Sequence, residues 1–293
     1  MDDQLLNCVY HRLYAPDKVQ RPANCTYSDS VVALIYVFAV LRGRSPHWSH
    51  DKRNWPLWMR RVERPSYSQF MRRLATPPVQ RLIAQLNTEF RGTLPASGEK
   101  FCDGKPLVVG GFSRDPDTAE GKLPGDGWGR GYKLHVIVDA CGAVDALEVT
   151  ALNGGEATAA RRLVALTDLR DVLLRGDSSY DSNPLYAAVA ARGGRLVAPR
   201  KRPHTGLGHH PHHPDRLRAI AELERCGPEC ARAHKRHRIR VEQALGHLTN
   251  LPCGLSPLPN FVRRRHRVAR WVLAKVTLYH LALILRQAQT LAA

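Results

Sequence analysis

The chain has 293 residues, 43% hydrophobic and 24% charged, a balance that excludes wholesale disorder and fits one large or two modest folded domains. With 44 Lys and Arg against 26 Asp and Glu, the net charge is +18. The longest apolar run, Val31–Leu41, is well short of the roughly 20 residues that cross a bilayer. No secretory signal pattern opens the chain. Neither a membrane protein nor a secreted protein is expected.

The positive charge lies in the two flanks of the chain. Residues 1–100 carry a net charge of +7, residues 101–200 of −1, and residues 201–293 of +12. This distribution predicts acidic side chains held in the centre and a polyanion bound by the flanks, although a ribosomal or RNA-coating protein has a similar charge. The seven scattered cysteines, an odd number, favour reduced thiols in the cytoplasm.

The first hundred residues are predicted to be helical. Ser28, Asp29 and Ser30 can cap the first apolar helix, and the next helix carries Arg72 and Arg73. Small basic helices joined by tight turns favour helix-turn-helix DNA binding, but an ordinary helical bundle has the same pattern. The predicted helices cover residues 31–41, 65–74 and 79–91.

From about residue 100 the pattern changes to strands. Three strands, a helix, a strand, a helix and a strand are predicted in that order, followed by a long helical region over 215–248. This order predicts a three-layer α/β fold with a mixed sheet. A basic loop over 200–214 precedes the helical region, and a last helix over 268–283 is expected to pack on the sheet domain or, less simply, to dimerise. The elements between residues 100 and 200 are strands 100–109, 132–139, 143–150, 171–177 and 194–198 and helices 157–166 and 183–192.

Three acids stand where a two-metal site needs them. Asp103 lies in the first strand, Asp177 at the end of a later strand, and Glu242 in the late helical region. Groups at the carboxyl ends of neighbouring strands converge at one edge of an α/β sheet. Three carboxylates there can hold two Mg²⁺ ions about 3.5–4 Å apart. Taken singly, each acid can also be a turn former, a helix cap or a solvated side chain.

Five segments of the chain contain short motifs: Asp103-Gly104-Lys105-Pro106, residues 129–139, residues 175–182, the Arg-x-x-x-Glu helix over 238–248, and a Pro-Ser-x-Ser and Arg-Arg-Leu stretch over 65–74. Together they resemble bacterial insertion-sequence transposases of the DDE class. In order, the first four resemble the first acid motif, the second strand of the sheet, the second acid motif and the third acid motif, and the last resembles the N-terminal helical region. Ser178-Ser179, Lys235 and Thr249 depart from the fuller signature of some subfamilies.

The resemblance implies an α/β catalytic domain of the ribonuclease H-like type, a mixed sheet flanked by helices, behind a helical N-terminal domain. The implied domains are 1–97, which binds DNA, 98–255, which is catalytic, and a C-terminal helix over 256–293. Asp103, Asp177 and Glu242 are the implied catalytic residues. The same three are the implied ligands of Mg²⁺, with Mn²⁺ as its substitute.

The implied partner is double-stranded DNA, both the terminal inverted repeats and the target, bound by a homodimer on the bacterial nucleoid in the cytoplasm. Arg238 shares a helical face with Glu242 and is predicted to bind a phosphate, or else to form an intrahelical ion pair. Lys133, Arg72 and Arg73 are the other predicted DNA contacts.

Alternative functions and ligands stay open. A metal-dependent nuclease of the same fold, a basic DNA-binding protein without catalysis, and an inactive copy of an element have similar sequences. Glu229 is the reserve candidate for the third acid. A zinc site is disfavoured because its ligands lie on one continuous helix and cannot all converge on one ion. Those four residues are Cys226, Cys230, His234 and His237.

Overall fold

The computed structural model of the chain describes residues 2–14, 26–110, 113–203, 205–225, 227–250, 255 and 258–292. It divides into two compact units, one formed by Met1–Leu94 with Leu248–Ala293 and the other by Pro95–His247. We call them the terminal unit and the sheet unit. The helices are α1 (Asp2–Leu13), α2 (Asp29–Leu41), α3 (Pro46–His50), α4 (Tyr67–Leu74), α5 (Pro77–Thr93), α6 (Glu156–Leu166), α7 (Asn183–Ala190), α8 (Pro214–Arg225), α9 (Gly227–Asn250) and α10 (Arg265–Ala292).

Helix α2 is the centre of the terminal unit. Every residue from Ser30 to Leu41 is buried, as expected for a helix that is hydrophobic on all sides. Helices α1, α3, α4, α5 and α10 all pack against it. The unit is therefore a helical bundle built around the longest apolar run of the sequence.

Local sequence signals set where two of these helices begin. Ser66 and Gln69 form a capping box at the start of α4, in which each side chain bonds the other residue's backbone. Pro77 and Pro78 occupy the first turn of α5, where the missing N–H of proline costs nothing. The proline pair therefore begins α5, two residues ahead of the predicted start.

Helix α10 packs in the terminal unit, against α5, α2 and α1. The prediction that the C-terminal helix packs on the sheet domain is therefore wrong: an apolar stripe shows that a helix is buried but does not identify its partner. By length and composition alone, residues 265–290 are long and apolar enough to cross a membrane. Because 67% of its most apolar window is buried inside the fold, α10 has the pattern of a core helix.

The strands of the sheet unit are β1 (Glu99–Val108), β2 (Ala119–Lys122), β3 (Trp128–Asp139), β4 (Val144–Ala151), β5 (Leu173–Arg175) and β6 (Arg195–Val197). They form a mixed sheet in the order β2-β3-β1-β5-β6, with β4 also paired to β3. Strand β1 runs antiparallel to β3 and parallel to β5, which in turn runs parallel to β6. The predicted α/β fold with a mixed sheet flanked by helices is confirmed.

One face of this sheet is covered by α6, α7 and α8. Cys102 of β1 belongs to the core cluster on that face, together with Leu163 of α6, Val189 of α7 and Ala219 of α8. Because successive side chains of a strand point to opposite faces, the neighbours of Cys102 along β1 point away from these helices.

A buried ion-pair cluster joins the start of β1 to the end of β3 and to β4. The Lys100 Nζ atom lies 3.1 Å from Asp139 Oδ2 and forms a second short ion pair, at 2.5 Å, with Asp145 Oδ2. The Asp139 carboxylate also accepts hydrogen bonds from the backbone N–H groups of Ser97 and Cys141. These bonds fix the register of β1, the strand that carries Asp103.

Candidate active site

Asp103 and Asp177 occupy equivalent positions on neighbouring parallel strands. Phe101 of β1 pairs with Arg175 of β5, and each aspartate follows two residues later. Asp177 keeps an extended backbone, with φ −81° and ψ −174°, so the register continues to it. Parallel strands lie about 4.8 Å apart. The two carboxylates therefore leave the sheet side by side, on the face opposite Cys102.

Each carboxylate is held by the backbone that follows it. Asp103 Oδ1 accepts a hydrogen bond from the N–H of Gly104 at 2.7 Å. Asp177 Oδ1 accepts one from the N–H of Ser179, also at 2.7 Å, and thereby caps the helical turn Ser178–Tyr180. Backbone donors of this kind fix the direction of a carboxylate.

Gly176 leaves no room for a side chain just before Asp177. A Cβ atom at this position would lie 2.8 Å from the Sγ of Cys102 and 2.8 Å from the ring of Tyr180. Both of these neighbours are buried. The absence of a side chain at residue 176 thus allows the chain to place Asp177 tightly against β1.

Burial and the nearby acids raise the pKa values of the Cys102 thiol and the Tyr180 hydroxyl. Burial raises the pKa of the Cys102 thiol well above its usual value, and the charges of Asp103, Asp177 and Glu156 raise it further. Burial and the same three carboxylates raise the pKa of the Tyr180 hydroxyl, to which the Cys102 thiol also contributes. Cys102 therefore stays a protonated thiol, which is neither a nucleophile nor a good metal ligand.

Glu156 is an acid of this region that the sequence analysis missed. It lies in the first turn of α6 and accepts a hydrogen bond from Lys133 Nζ at 3.1 Å. A Cβ atom on Gly104 would lie 3.2 Å from Glu156 Oε1, so this carboxylate lies directly over the residue that follows Asp103. The available signal was Gly154-Gly155-Glu156, a glycine pair before an acid at a helix start.

Lys133 was predicted to contact DNA, and the structure gives it an internal partner. Its ammonium group forms the ion pair with Glu156, and both side chains are largely shielded from solvent. The charge of Lys133 is thus balanced at the helix-covered face of the sheet.

Glu242 lies on the exposed side of α9, while Val241, Ala244 and Leu245 form a buried stripe on the same helix. The side chain of Arg238 lies outside the described residues, as do those of Cys226, Glu229, Cys230, His234 and His237. Among the side chains that are described, no group of three or more His, Cys, Asp or Glu is arranged to hold a metal ion. The structure therefore brings Asp103 and Asp177 together. Among the described side chains, no contact joins Glu242 to this pair.

The aspartate pair fits a hard divalent cation as part of its ligand set. Both side chains offer carboxylate oxygens, the ligands that Mg²⁺ prefers, and Mg²⁺ commonly binds through one or two protein carboxylates while keeping several waters. The nearby Cys102, a protonated thiol, adds no soft ligand that would favour zinc.

The two predicted DNA contacts on α4 differ in their surroundings. The Arg73 guanidinium lies 2.6 Å from a carboxylate oxygen of Asp29 and 2.6 Å from the carbonyl oxygen of Tyr27. Only 13% of the Arg73 side chain is exposed, so it holds α4 to the start of α2. Arg72 is exposed on the same helix.

Comparisons with known proteins identify a family and a similar fold. The family described as "Transposase DDE domain" matches residues 101–281, a range that includes Asp103, Asp177 and Glu242. The fold is similar to that of a piggyBac transposase, solved by cryo-electron microscopy as a synaptic complex with hairpin DNA. The TM-score is 0.52 at 11% sequence identity, over 97% of this chain and 72% of that chain.

At this identity the structural likeness concerns the fold alone. No curated protein sequence matches the chain. The family match nevertheless covers well over half of the residues, including the whole sheet apart from the first two residues of β1. The chain therefore belongs to the transposase DDE-domain family.

Proposed function

We propose that this chain is a DNA transposase that cleaves the ends of an insertion sequence and joins the freed 3′-hydroxyl to target DNA. One observation carries the proposal: the parallel register of β1 and β5 sets Asp103 and Asp177 side by side, in a chain of the transposase DDE-domain family. Paired carboxylates on neighbouring strands can hold the metal ions that metal-assisted phosphodiester chemistry uses.

In this proposal Asp103, Asp177 and Glu242 hold divalent metal ions, with Mg²⁺ as the natural ion and Mn²⁺ as a substitute. When bound, such ions activate the attacking water or hydroxyl and stabilise the leaving oxygen. The protein's own part is to orient the carboxylates, through the N–H groups of Gly104 and Ser179, and to position the DNA. No step requires a covalent bond between protein and DNA.

DNA binding is supported by the charge of the chain, +18 overall, and by the DNA in the piggyBac synaptic complex of similar fold. We assign a DNA contact to the exposed Arg72 and a phosphate contact to Arg238, with Arg73 supporting α4 from inside. Two element ends have to be brought together for joining, so a homodimer is the expected active form. Its place of action is the nucleoid of a bacterial cytoplasm.

The test is a cleavage and strand-transfer assay on labelled duplexes that carry the two ends of the element, with Mg²⁺ or with EDTA. Asp103→Asn, Asp177→Asn and Glu242→Gln remove one charge each with little change of shape, and each is expected to abolish metal-dependent joined products while DNA binding persists. Asp168→Asn is the matched control, because Asp168 is an exposed acid ahead of β5, at the opposite edge of the sheet.

The other outcomes separate the rival functions. Cleavage without joining would identify a metal-dependent nuclease, and DNA binding that no substitution affects would identify a basic DNA-binding protein or an inactive copy.

A further inference from the structure

A basic loop leaves the sheet at the edge that carries the two aspartates. Strand β6 is parallel to β5, and Arg175 pairs with Val197. Two residues further along each strand, Pro199 corresponds to Asp177. The next three residues, 200–202, are Arg, Lys and Arg. Since the carboxyl ends of parallel strands meet at one edge, this basic segment emerges beside the acid pair.

Hydrogen bonds tie the basic loop to the segment that follows Asp177. The buried carboxylate of Asp181 accepts a hydrogen bond from the backbone N–H of Lys201 at 3.1 Å. The same carboxylate accepts two from the Arg216 guanidinium, at 2.6 and 2.8 Å. A bidentate pair of this kind is geometrically specific. The loop is thus anchored to the chain only four residues beyond Asp177.

The loop and Arg216 of α8 line an open cavity of about 330 Å³, and four of its lining residues are Arg or Lys. Arg216 is balanced by Asp181, and Arg200 by Glu224 at 2.9 Å. Lys201 and Arg202 are exposed, and neither side chain has an ion-pair or hydrogen-bond partner among the described residues. Two positive charges are therefore left for an external anion, on a support built from the paired arginines.

We infer that Lys201 and Arg202 bind backbone phosphates of the DNA strand being cut, within about one to three nucleotides of the bond held at Asp103 and Asp177. The strands that carry these groups are neighbours about 4.8 Å apart, and phosphates of one strand follow each other every 3.4 Å of helix axis. The inference rests on the proposed function. It adds a site that fixes which phosphodiester bond reaches the acids.

The test compares two variants with the same loss of charge. Lys201→Gln with Arg202→Gln removes the proposed contacts, whereas Arg161→Gln with Arg170→Gln removes two exposed arginines of the sheet unit away from this edge. Binding of a duplex that carries an element end is measured over a range of salt concentrations. The slope of log affinity against log salt is expected to fall by about 2 in the first variant, about 0.9 for each lost phosphate contact, and to stay unchanged in the second.

Neutral methylphosphonate linkages then locate the contact. Placed one at a time within three nucleotides of the cleaved bond, they are expected to weaken binding of the wild-type chain and to have no further effect on the Lys201→Gln, Arg202→Gln variant. Equal weakening of both proteins, or an unchanged salt slope in that variant, would overturn the inference. Thermal melting checks that each variant is folded, and each single substitution, expected to lower the slope by about 1, repeats the test.

The binding readout separates this inference from the proposed function. The Asp177→Asn variant does not cut in the proposed function, yet it is expected to keep the full salt slope. Cleavage by the wild-type chain with no slope change in the double variant would leave the transposase and remove the phosphate site. A lower salt slope in the double variant, together with a wild-type chain that never cuts DNA, would keep the phosphate site and remove the transposase.

Discussion

Replacing Lys100 by Met is expected to destabilise the sheet unit strongly, although the new side chain has a similar length. The Lys100 side chain is 7% exposed and that of Asp139 is not exposed at all. Removing the ammonium group leaves the charges of Asp139 and Asp145 in the interior without their cation. The carboxylates of Asp139 on β3 and Asp145 on β4 would then repel each other where Lys100 of β1 had held both.

The magnitude follows from the distances. Coulomb's law with an effective dielectric constant of about 20 gives an attraction of about 5 kcal/mol for unit charges at the 3.1 Å that separates Lys100 Nζ from Asp139 Oδ2. Part of it offsets the desolvation of the pair, and removal of one partner of a buried ion pair typically costs about 3–5 kcal/mol. At roughly 2–4 °C per kcal/mol, the transition of the sheet unit should fall by about 10 °C.

The measurement is thermal and urea unfolding of wild type, Lys100→Met and the exposed-pair control Arg162→Met, whose partner is Glu148. We expect less than about 1 kcal/mol for the control. The pKa of Asp139 is lowered in the folded chain, because hydrogen bonds from Cys141, Ser97 and Lys100 outweigh its burial.

The lowered pKa of Asp139 gives a stabilisation that is present above the usual pKa of an aspartate and is lost as pH falls through the lower folded value. The deficit of Lys100→Met should therefore shrink in acid, as Asp139 becomes protonated. A loss below 1 kcal/mol at neutral pH, or a deficit that grows in acid, would refute the argument.

Three further predictions use other features of the fold. Gly176→Ala should lower stability by about 1–3 kcal/mol and also lower DNA cleavage, because the new methyl group displaces Cys102 and Tyr180. Gly98→Ala is the control, since its new Cβ would have only one atom within 4 Å, and it should change neither property. Melting and cleavage assays on both variants test this prediction. Arg73→Ala should lower the melting temperature and Arg72→Ala should instead weaken DNA binding, and the reverse result would reject the assignment. Burial lowers the pKa of His280 to about 3, so the side chain takes up a proton on unfolding when the pH is below about 6.5. The wild-type chain should therefore lose up to about 1.4 kcal/mol of stability per pH unit as the pH falls below that value. Urea titration at several pH values should show a smaller loss in His280→Gln.

The sequence predicted the sheet unit well because its signals are local. Alternation over residues 132–139 and the turn at Cys141-Gly142 predict a hairpin by themselves, and the structure contains it as β3 and β4. Strand β2 was missed because its residues, Ala-Glu-Gly-Lys, have little strand propensity and pair only through the extension of β3 to Trp128. Its formation depends on a neighbour rather than on its own residues.

The candidate site was predictable in part for the same reason. Asp103 and Asp177 could be expected together, since one lies in the first strand and the other at the end of a later strand, and the order of elements predicts a parallel register between the two strands. Glu156 could not, because its place over Gly104 depends on how α6 returns across the sheet. The burial of Arg73 against Asp29 joins residues 44 apart in sequence, and a basic pair on a short helix gives no sign of which member is inside.

The terminal unit is assembled from both ends of the chain, with α5 packed against α10. During synthesis on the ribosome α2 is made early, whereas its packing partner α10 is made only after the whole sheet unit. A chain cut short by a stop codon or frameshift after residue 247 would contain the sheet unit with Asp103 and Asp177 but expose the apolar surface of α2. Such a product would be prone to aggregation and degradation. Translation through α10 is therefore a condition for a folded terminal unit.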